Sequence, residues 1–277
     1  MSDLHVRTDK EIVLETKSLT KIFGGLTAVN TVDLQVHKGE ILSLIGPNGA
    51  GKTTVFNVVT GIYKPEVGSV FFKGSNITGR KPHQIVSYGI ARTFQNIRLF
   101  PDMTCLENIM AGQHCRSSSG VFSSIFQTPY QRLEEERIRE IAEARLHQVN
   151  LWAFREDLAK NVAYGSQRML EIARALASNP DLLVLDEPSS GLNPRETEIL
   201  MEFLTGLIKS DDVTILLIEH DMNVVMGISD WVVVMDEGRK IAEGTPKQIY
   251  NNQRVIEAYL GKDDEEEEAD YGTIAEH

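Results

Sequence analysis

The chain alternates short apolar runs with longer amphipathic stretches, and this alternation predicts an α/β fold built on a β-sheet. Several runs are apolar at consecutive positions, which is typical of strands buried on both faces. Two earlier runs, Ile12 to Thr16 and Val32 to Val36, predict half-buried strands of an antiparallel flank. The predicted buried strands are Ile41 to Ile45, Leu182 to Leu185, Thr214 to Ile218 and Trp231 to Met235.

Turn signals follow the last of these strands. Asp236-Glu237-Gly238 predicts a hairpin that returns the chain into a strand over Arg239 to Ala242. Thr245 followed by Pro246 predicts a helix start, with the threonine as N-cap and the proline at the first helical position.

Strand signals vanish between about residue 100 and residue 178. Gln131 to Val149 is predicted to form a charged amphipathic helix, and Arg116 to Gly120 a loop. We therefore expect a helical insertion between two strands of the sheet. The apolar stripe of the long helix consists of Ile138, Ile141, Ala142, Leu146 and Val149.

These patterns predict a division of the chain into four parts. Residues 1–10 form an N-terminal tail, and residues 11–99 together with 179–260 form an α/β core with its β flank. Residues 100–178 form a helical subdomain, and residues 261–277 form an acidic, disordered tail.

Composition and charge narrow the class of protein. The chain has 277 residues, of which 42% are hydrophobic and 25% charged, as in an ordinary globular protein. No apolar run approaches the roughly 18 residues of a membrane span, and the charged N-terminus differs from a signal peptide, so we expect a cytoplasmic protein. Cys105 and Cys115 are expected to be reduced thiols, and no cysteine or histidine cluster predicts a structural metal.

The net charge of −12 is concentrated at the C-terminus. From Lys262 to His277 there are eight acids and one base, a net charge of −7, which leaves −5 for the rest of the chain. Such a tail repels itself and has little apolar surface to bury, which predicts disorder. The absence of a basic stripe argues against nucleic acid as the main partner.

A phosphate-binding loop is predicted directly after the first buried strand. Residues 46–53 fit the pattern G-x-x-x-x-G-K-[ST], and the motif has the required strand before it and helix after it. The glycines allow backbone N–H groups to converge on phosphate, and the helix beginning near Gly51 adds its positive end. Lys52 supplies a charge to the outer phosphates and Thr53 a hydroxyl to Mg²⁺. The predicted contacts are Gly46, Pro47, Asn48, Gly49, Ala50, Gly51, Lys52, Thr53 and Thr54.

Two acids follow the buried strand Leu182 to Leu185. The strand delivers Asp186 at its carboxyl end, where ligands bind in open α/β sheets. Asp186 can hold Mg²⁺ through water, and Glu187 can face the water that attacks the γ-phosphate. An Asp-Glu pair alone is a weak signal, but together with the phosphate loop it predicts an ATPase.

Further short motifs follow the order and spacing of those in ABC transporter ATPases over roughly residues 11 to 260, and the chain resembles that family. They are Phe23 as the aromatic residue that stacks on adenine, Gln95 in Arg92-Thr-Phe-Gln95 as the Q-loop, Val162 to Arg168 with the helix Leu170 to Leu176 as the signature loop and its helix, Ser190 to Asn193 as the D-loop, and His220 as the switch histidine.

Longer segments resemble the ATPases of branched-chain amino-acid importers in particular. The insertion around Thr128-Pro129 is the most discriminating of them, and the acidic tail after Gly261 lies outside the resemblance. The segments are Phe23 to Val29, Arg92 to Phe100, Phe122 to Pro129 and Leu217 to Ser229.

The resemblance implies an α/β P-loop NTPase fold of the ABC ATPase type, with a RecA-like mixed sheet core, an antiparallel β flank and an inserted helical subdomain. It also implies that two ATPase subunits sandwich ATP, each site using one subunit's phosphate loop and the other's signature loop. Glu187 would be the general base or would orient water, and His220 would contact the γ-phosphate. Gln95 would sense Mg²⁺ and the attacking water.

The resemblance extends to ligands and partners. Thr53, Gln95 and Asp186 would hold Mg²⁺. The partners would be a second, related ATPase subunit in a heterodimer, two membrane permeases that contact residues 95–110, and indirectly an extracytoplasmic binding protein. The complex would place this chain on the cytoplasmic face of the inner or plasma membrane. The implied contacts with the ATP of the partner subunit are Ala163, Tyr164, Gly165, Ser166 and Asn193.

The sequence departs from the family's usual signature loop, Leu-Ser-Gly-Gly-Gln. Ala163 stands where a serine would bond the γ-phosphate, and Ser166 stands where the glutamine would be. The lost hydrogen bond is worth roughly 1.5–3 kcal/mol, which predicts a weaker ATP site in the partner and two unequal sites in the dimer. Asn193 in place of the common aspartate is a milder change, and Phe23 in place of tyrosine keeps the ring that stacks on adenine.

Three alternatives stay open at this stage. The same kind of ATPase subunit could power a urea or short-amide importer, or a lipid or lipopolysaccharide exporter. The chain could be an ABC protein of translation or DNA repair, although such proteins carry two cassettes or a long coiled coil. It could also be a switch that binds ATP without hydrolysing it, which the presence of Glu187 and His220 argues against.

Overall fold

The computed structural model describes Arg7, residues 10–113 and residues 129–259 of the chain. The described residues divide into two compact units. The first comprises those up to Arg80 and those from Thr214 onward, and the second comprises those from Lys81 to Val213. The predicted acidic tail, the loop at 116–120 and Cys115 lie outside the described residues. The division of the chain into core, subdomain and tails stays a prediction.

The first unit contains an antiparallel sheet that forms the predicted flank. Strand β1 (Ile12–Phe23) pairs with β2 (Leu26–His37) on one side and β4 (Val67–Phe72) on the other, and β4 pairs with β5 (Ser75–Asn76). β1 and β2 are longer than the sequence predicted, because their antiparallel pairing extends beyond the apolar runs as far as Phe23 and Leu26.

A second set of strands in this unit carries the phosphate loop. Strand β3 (Ile41–Ile45) is parallel to β8 (Thr214–Ile218) and to β9 (Trp231–Asp236), and β9 turns back into β10 (Arg239–Gly244). All residues of β3 and β8 are buried, which confirms the prediction of strands apolar on both faces. The helices of the unit are α1 (Lys52–Val59), α7 (Met222–Ile228), α8 (Pro246–Tyr250) and residues 253–259.

The second unit is mostly helical but holds a parallel strand pair, β6 (Ile90–Arg92) and β7 (Leu182–Asp186). The long amphipathic helix is confirmed and begins two residues earlier than predicted. Ala142, Leu146 and Val149 of its stripe pack into a core with Cys105, a buried free thiol, whereas Ile138 and Ile141 are only partly buried. Burial raises the pKa of Cys105 to about 11. The helices are α2 (Pro82–Tyr88), α3 (Cys105–Gly112), α4 (Pro129–Gln148), α5 (Tyr164–Leu176) and α6 (Pro194–Ser210).

Within the described ranges, no helix combines the length and the apolar character needed to cross a bilayer. The same part of the chain contains no cluster of three or more histidine, cysteine, aspartate or glutamate residues arranged to hold a metal ion.

Candidate functional site

The predicted phosphate loop lies between β3 and α1 in the first unit. Gly51, the N-cap of α1, adopts a left-handed conformation, and no side chain caps the helix start. The first turn contains no acidic residue, so its backbone N–H groups and the helix dipole favour an anion. Lys52 is buried, and its ammonium group donates to the carbonyl oxygens of Gly46 at 2.5 Å and Pro47 at 2.9 Å. The loop is thus folded around the lysine that the sequence assigned to the phosphates.

The loop glycines are required because other backbone segments approach them closely. A Cβ on Gly46, which has φ +148°, would overlap the carbonyl group of Met235 in β9. A Cβ on Gly51 would overlap the carbonyl oxygen of Ala28 in β2. The N–H of Gly238 in the hairpin turn donates to the carbonyl of Ala50 at 3.2 Å. The shape of the cradle therefore depends on β2 and β9 as well as on the motif itself.

Gly46→Ala is expected to destabilise the chain and to lower its affinity for ATP. The positive φ alone costs about 1–3 kcal/mol for a residue with a Cβ, and the overlap with Met235 adds to this. The matched control is Gly206→Ala in the exposed middle of α6, where a Cβ meets nothing within 4 Å. That change should raise stability by about 0.5–1 kcal/mol. Urea unfolding measures the stability of both variants, and ATP titration measures their affinity for ATP. Equal changes in these quantities at the two positions would contradict the steric argument.

Phe23 lies at the end of β1 with 39% of its surface exposed. Its ring packs edge-on against Tyr63, with 5.1 Å between centroids, and the ammonium group of Lys21 lies 4.9 Å from its centre. Lys21 is held by Glu66 at 2.7 Å. An exposed aromatic ring held in this way suits stacking on a base, so adenine binding by Phe23 stays a supported prediction. Sequence reasoning missed Tyr63 and Lys21.

His220 is the second residue after the end of β8 in the same unit. Its side chain is exposed, and its backbone N–H donates to the carboxylate of the buried Glu219 at 3.2 Å. The role of His220 at the γ-phosphate stays a prediction.

The two predicted acids lie at the end of β7 in the second unit. Asp186 is 4% exposed and accepts a hydrogen bond from Arg92 Nη2 at 2.8 Å. Burial lowers the pKa of Arg92, and the hydrogen bond and charge of Asp186 oppose this shift. The sequence analysis gave Arg92 no role. The parallel pairing of β6 and β7 could have suggested it, because Arg92 stands opposite Val184, two residues before Asp186.

Glu187 has an unusual backbone conformation for a residue with a side chain, with φ +48°. Such strain costs about 1–3 kcal/mol and concentrates at functional sites. The Glu187 carboxylate accepts a hydrogen bond from Gln95 Nε2 at 2.8 Å. The structure therefore brings together Gln95 and Glu187, two of the three predicted catalytic residues. Asp186, the residue before Glu187, instead contacts Arg92.

The predicted signature loop forms the first turn of α5. Ala163 is the N-cap, with no side chain to bond the helix N–H groups, and Tyr164, Gly165 and Ser166 are already helical. The Tyr164 hydroxyl donates to the carbonyl of Ser190 at 3.3 Å. Contact of this helix start with the ATP of a partner subunit stays a prediction.

Asn193 is the N-cap of α6. Its side chain accepts from the N–H of Glu196 at 3.0 Å, and the carboxylate of Glu196 accepts from the N–H of Asn193 at 3.0 Å. A Cβ on Gly165 would overlap the Glu196 carboxylate, so a larger residue there would require this side chain to shift. Asn193 therefore has a capping role, and its contact with ATP stays a prediction.

Two sequence families and individual known proteins match this chain. The family described as "ABC transporter" matches residues 29–190, and the family described as "Branched-chain amino acid ATP-binding cassette transporter" matches residues 239–265. The chain is 48% identical over 250 residues to the high-affinity branched-chain amino acid transport ATP-binding protein BraF of Pseudomonas aeruginosa. It is 47% identical to the corresponding protein LivG of Escherichia coli K12. Each match covers 90% of this chain and 98% of the relative.

A solved structure gives the same result for the fold. The crystal structure of the ADP conformation of an ATP-binding cassette of an ABC transporter superposes with a TM-score of 0.79 at 34% identity, over 90% of this chain and 99% of that one. This likeness confirms the predicted ABC ATPase fold. The chain accordingly belongs to the ABC transporter family of ATP-binding proteins, in its branched-chain amino acid group.

Proposed function

We propose that this chain is the ATP-binding and ATP-hydrolysing subunit that energises an ABC importer of leucine, isoleucine and valine. The observation that carries the hydrolytic part is the contact of Gln95 with Glu187, next to Asp186 at the end of β7. The cargo is supported by the names of relatives that match nearly their whole length, and by the separate family match at residues 239–265.

The residues divide the chemistry between binding and proton transfer. Lys52 and the uncapped first turn of α1 bind the phosphates, and Phe23 stacks on adenine. Glu187 accepts the proton of the attacking water, or orients that water, and Gln95 holds the carboxylate in place. His220 contacts the γ-phosphate.

The donor set fits Mg²⁺. This ion prefers hard oxygen ligands, and Thr53, Gln95 and Asp186 offer a hydroxyl, an amide and a carboxylate oxygen. Asp186 uses Oδ2 for Arg92, so Oδ1 is outside that contact. When bound, Mg²⁺ neutralises charge on the β- and γ-phosphates.

The proposed assembly is a sandwich with a second, related ATPase subunit on two membrane permeases, supplied by an extracytoplasmic binding protein. The loop after β6 and helix α3, within residues 95–110, contact the permease. This places the chain at the cytoplasmic face of the inner or plasma membrane. The first turn of α5 and Asn193 contact ATP held by the partner ATPase.

The experiment is an ATPase assay of the chain together with the membrane subunits that co-purify, with and without a leucine-loaded binding protein. Leucine is expected to raise a rate that depends on Glu187. A rate that depends on Glu187 but does not respond to leucine, isoleucine or valine would support the assignment as an ATPase and contradict the proposed cargo. Stimulation by urea or by lipid instead would identify the alternative importer or exporter.

Ala163→Ser is expected to have two effects. A serine at this N-cap stabilises the chain by about 0.5–2 kcal/mol, because its oxygen can accept from an N–H of the first turn of α5. It also restores a hydroxyl for the partner's γ-phosphate, which should reduce the inequality of the two ATP sites. Thermal unfolding measures the first effect, and site-resolved hydrolysis in the assembled complex measures the second.

The matched control is Ala144→Ser in the middle of α4, where a serine should not stabilise the helix. Equal hydrolysis at the two sites of the unchanged complex would contradict the proposed inequality.

A further inference from the structure

A fully buried ion pair lies on α5 and begins at Arg168, the last residue of the predicted signature loop. The side chains of Arg168 and Glu171 are 0% and 1% exposed, and Arg168 Nη1 lies 3.0 Å from Glu171 Oε2. Burying two charges costs desolvation energy that their attraction often fails to recover, so such a pair is a poor source of stability. Its other hydrogen bonds indicate what the pair holds.

Those bonds attach both ends of the segment 94–98, which follows β6, to α5. Arg168 donates from Nη1 to the carbonyl of Phe94 at 2.9 Å and from Nη2 to the carbonyl of Gln95 at 2.7 Å. Glu171 Oε1 accepts from the backbone N–H of Arg98 at 3.0 Å. The planar guanidinium fork suits two neighbouring carbonyls, and a lysine could not reproduce that geometry. Residues 94–98 are therefore held by charge-assisted bonds to backbone atoms.

The loop connects this pair to the reactive acid. The Gln95 carbonyl is bound by Arg168, while its side-chain Nε2 donates to Glu187 at 2.8 Å. A second connection runs through Tyr164, whose hydroxyl lies 3.4 Å from Arg168 Nη2 and donates to the carbonyl of Ser190. The helix that begins with the predicted signature loop is thus connected to Gln95, which contacts Glu187, and to Ser190, three residues after Glu187.

We propose that Arg168 and Glu171 are positioning residues, which fix Gln95 against α5 and through Gln95 set the place of the Glu187 carboxylate. This inference rests on the proposed roles of Gln95 and Glu187 in hydrolysis. The pair touches neither nucleotide nor water itself.

The test replaces both charges at once. Arg168→Met combined with Glu171→Leu removes the pair without leaving an unpaired buried charge, so the fold should be retained. The matched control is Arg195→Met with Glu198→Leu, a pair of the same i,i+3 spacing in α6 whose side chains are 74% and 63% exposed. Arg168→Lys is the conservative variant. All variants are made in the full chain and assayed with the co-purifying subunits.

The double variant is expected to lower kcat by about 10- to 100-fold, because a misplaced catalytic group loses most of its advantage. Its affinity for a fluorescent ATP analogue should not change, since the phosphate loop is untouched. Hydrogen exchange at the Arg98 amide should accelerate. Arg168→Lys should give an intermediate kcat, and the control pair should change none of these quantities.

An unchanged kcat in a folded double variant overturns the proposal, as does a fall in analogue affinity parallel to kcat, which indicates general damage. If the double variant does not fold, the kcat and the analogue affinity of Arg168→Lys test the proposal by the same criteria. A Glu187→Gln complex that still hydrolyses ATP at the normal rate would show that the proposed function has failed. In that case the exchange rate of the Arg98 amide still reports whether the pair holds the loop.

Discussion

Glu187→Gln is expected to lower kcat for ATP hydrolysis by about 10²- to 10⁴-fold, the usual contribution of a general base. Glutamine keeps the size of the side chain and an oxygen that can accept from Gln95, but it cannot take a proton from water. The strained φ of +48° stays the same, so the variant should fold as the parent chain does. ATP binding should therefore be retained while turnover is lost.

A steady-state ATPase assay with a separate ATP titration measures this split between kcat and affinity. Glu198→Gln on the exposed face of α6 makes the same chemical change away from the site and should have no effect. A Glu187→Gln complex with normal turnover would show that another group accepts the proton, and the assignment of Glu187 would be wrong.

Lys52→Met is expected to weaken ATP binding by about 10- to 100-fold, since a hydrogen bond to a charged group is worth roughly 1.5–3 kcal/mol. The ammonium group donates to the carbonyls of Gly46 and Pro47, at the centre of the loop. Methionine has a similar length and fills the same space, but it carries no donor and no charge. The loss should therefore appear in the affinity for ATP.

Fluorescence titration with an ATP analogue measures the change, and the control is Lys247→Met at an exposed position of α8. The control variant should bind the analogue as the parent chain does. Equal affinities for all three proteins would mean that the phosphates bind elsewhere. A loss in Lys52→Met that disappears for AMP would confirm that the lysine acts on the outer phosphates.

The local signals in the sequence predicted the elements well. The bounds of β3 and β8 are those expected from their apolar runs. A strand that is buried on both faces is apolar along nearly its whole length, so the run marks where the strand begins and ends. The phosphate loop was equally clear, since glycine spacing, the lysine and the flanking strand and helix occur together. The ends of β1, β2 and α4 were less clear, because their periodic patterns fade gradually.

The contacts around the acids could not be predicted in the same way. Arg92 and Asp186 are 94 positions apart, and Arg168 lies 74 positions from Phe94. No local pattern records such pairings, because they depend on which strands and helices become neighbours. The i,i+3 spacing of Arg168 and Glu171 was visible, but such pairs are usually exposed and contribute little.

Local sequence patterns were enough to predict the chemistry of this chain: a phosphate loop, two acids at the end of a buried strand, and the strands and helices that carry them. Each of these depends on neighbouring residues and on the periodicity of burial. Only the tertiary structure decided that Gly46 must accommodate Met235, that Gln95 meets Glu187, and that a buried ion pair holds Gln95. These features depend on close packing between distant segments, where backbone carbonyls and charged side chains find partners only after folding.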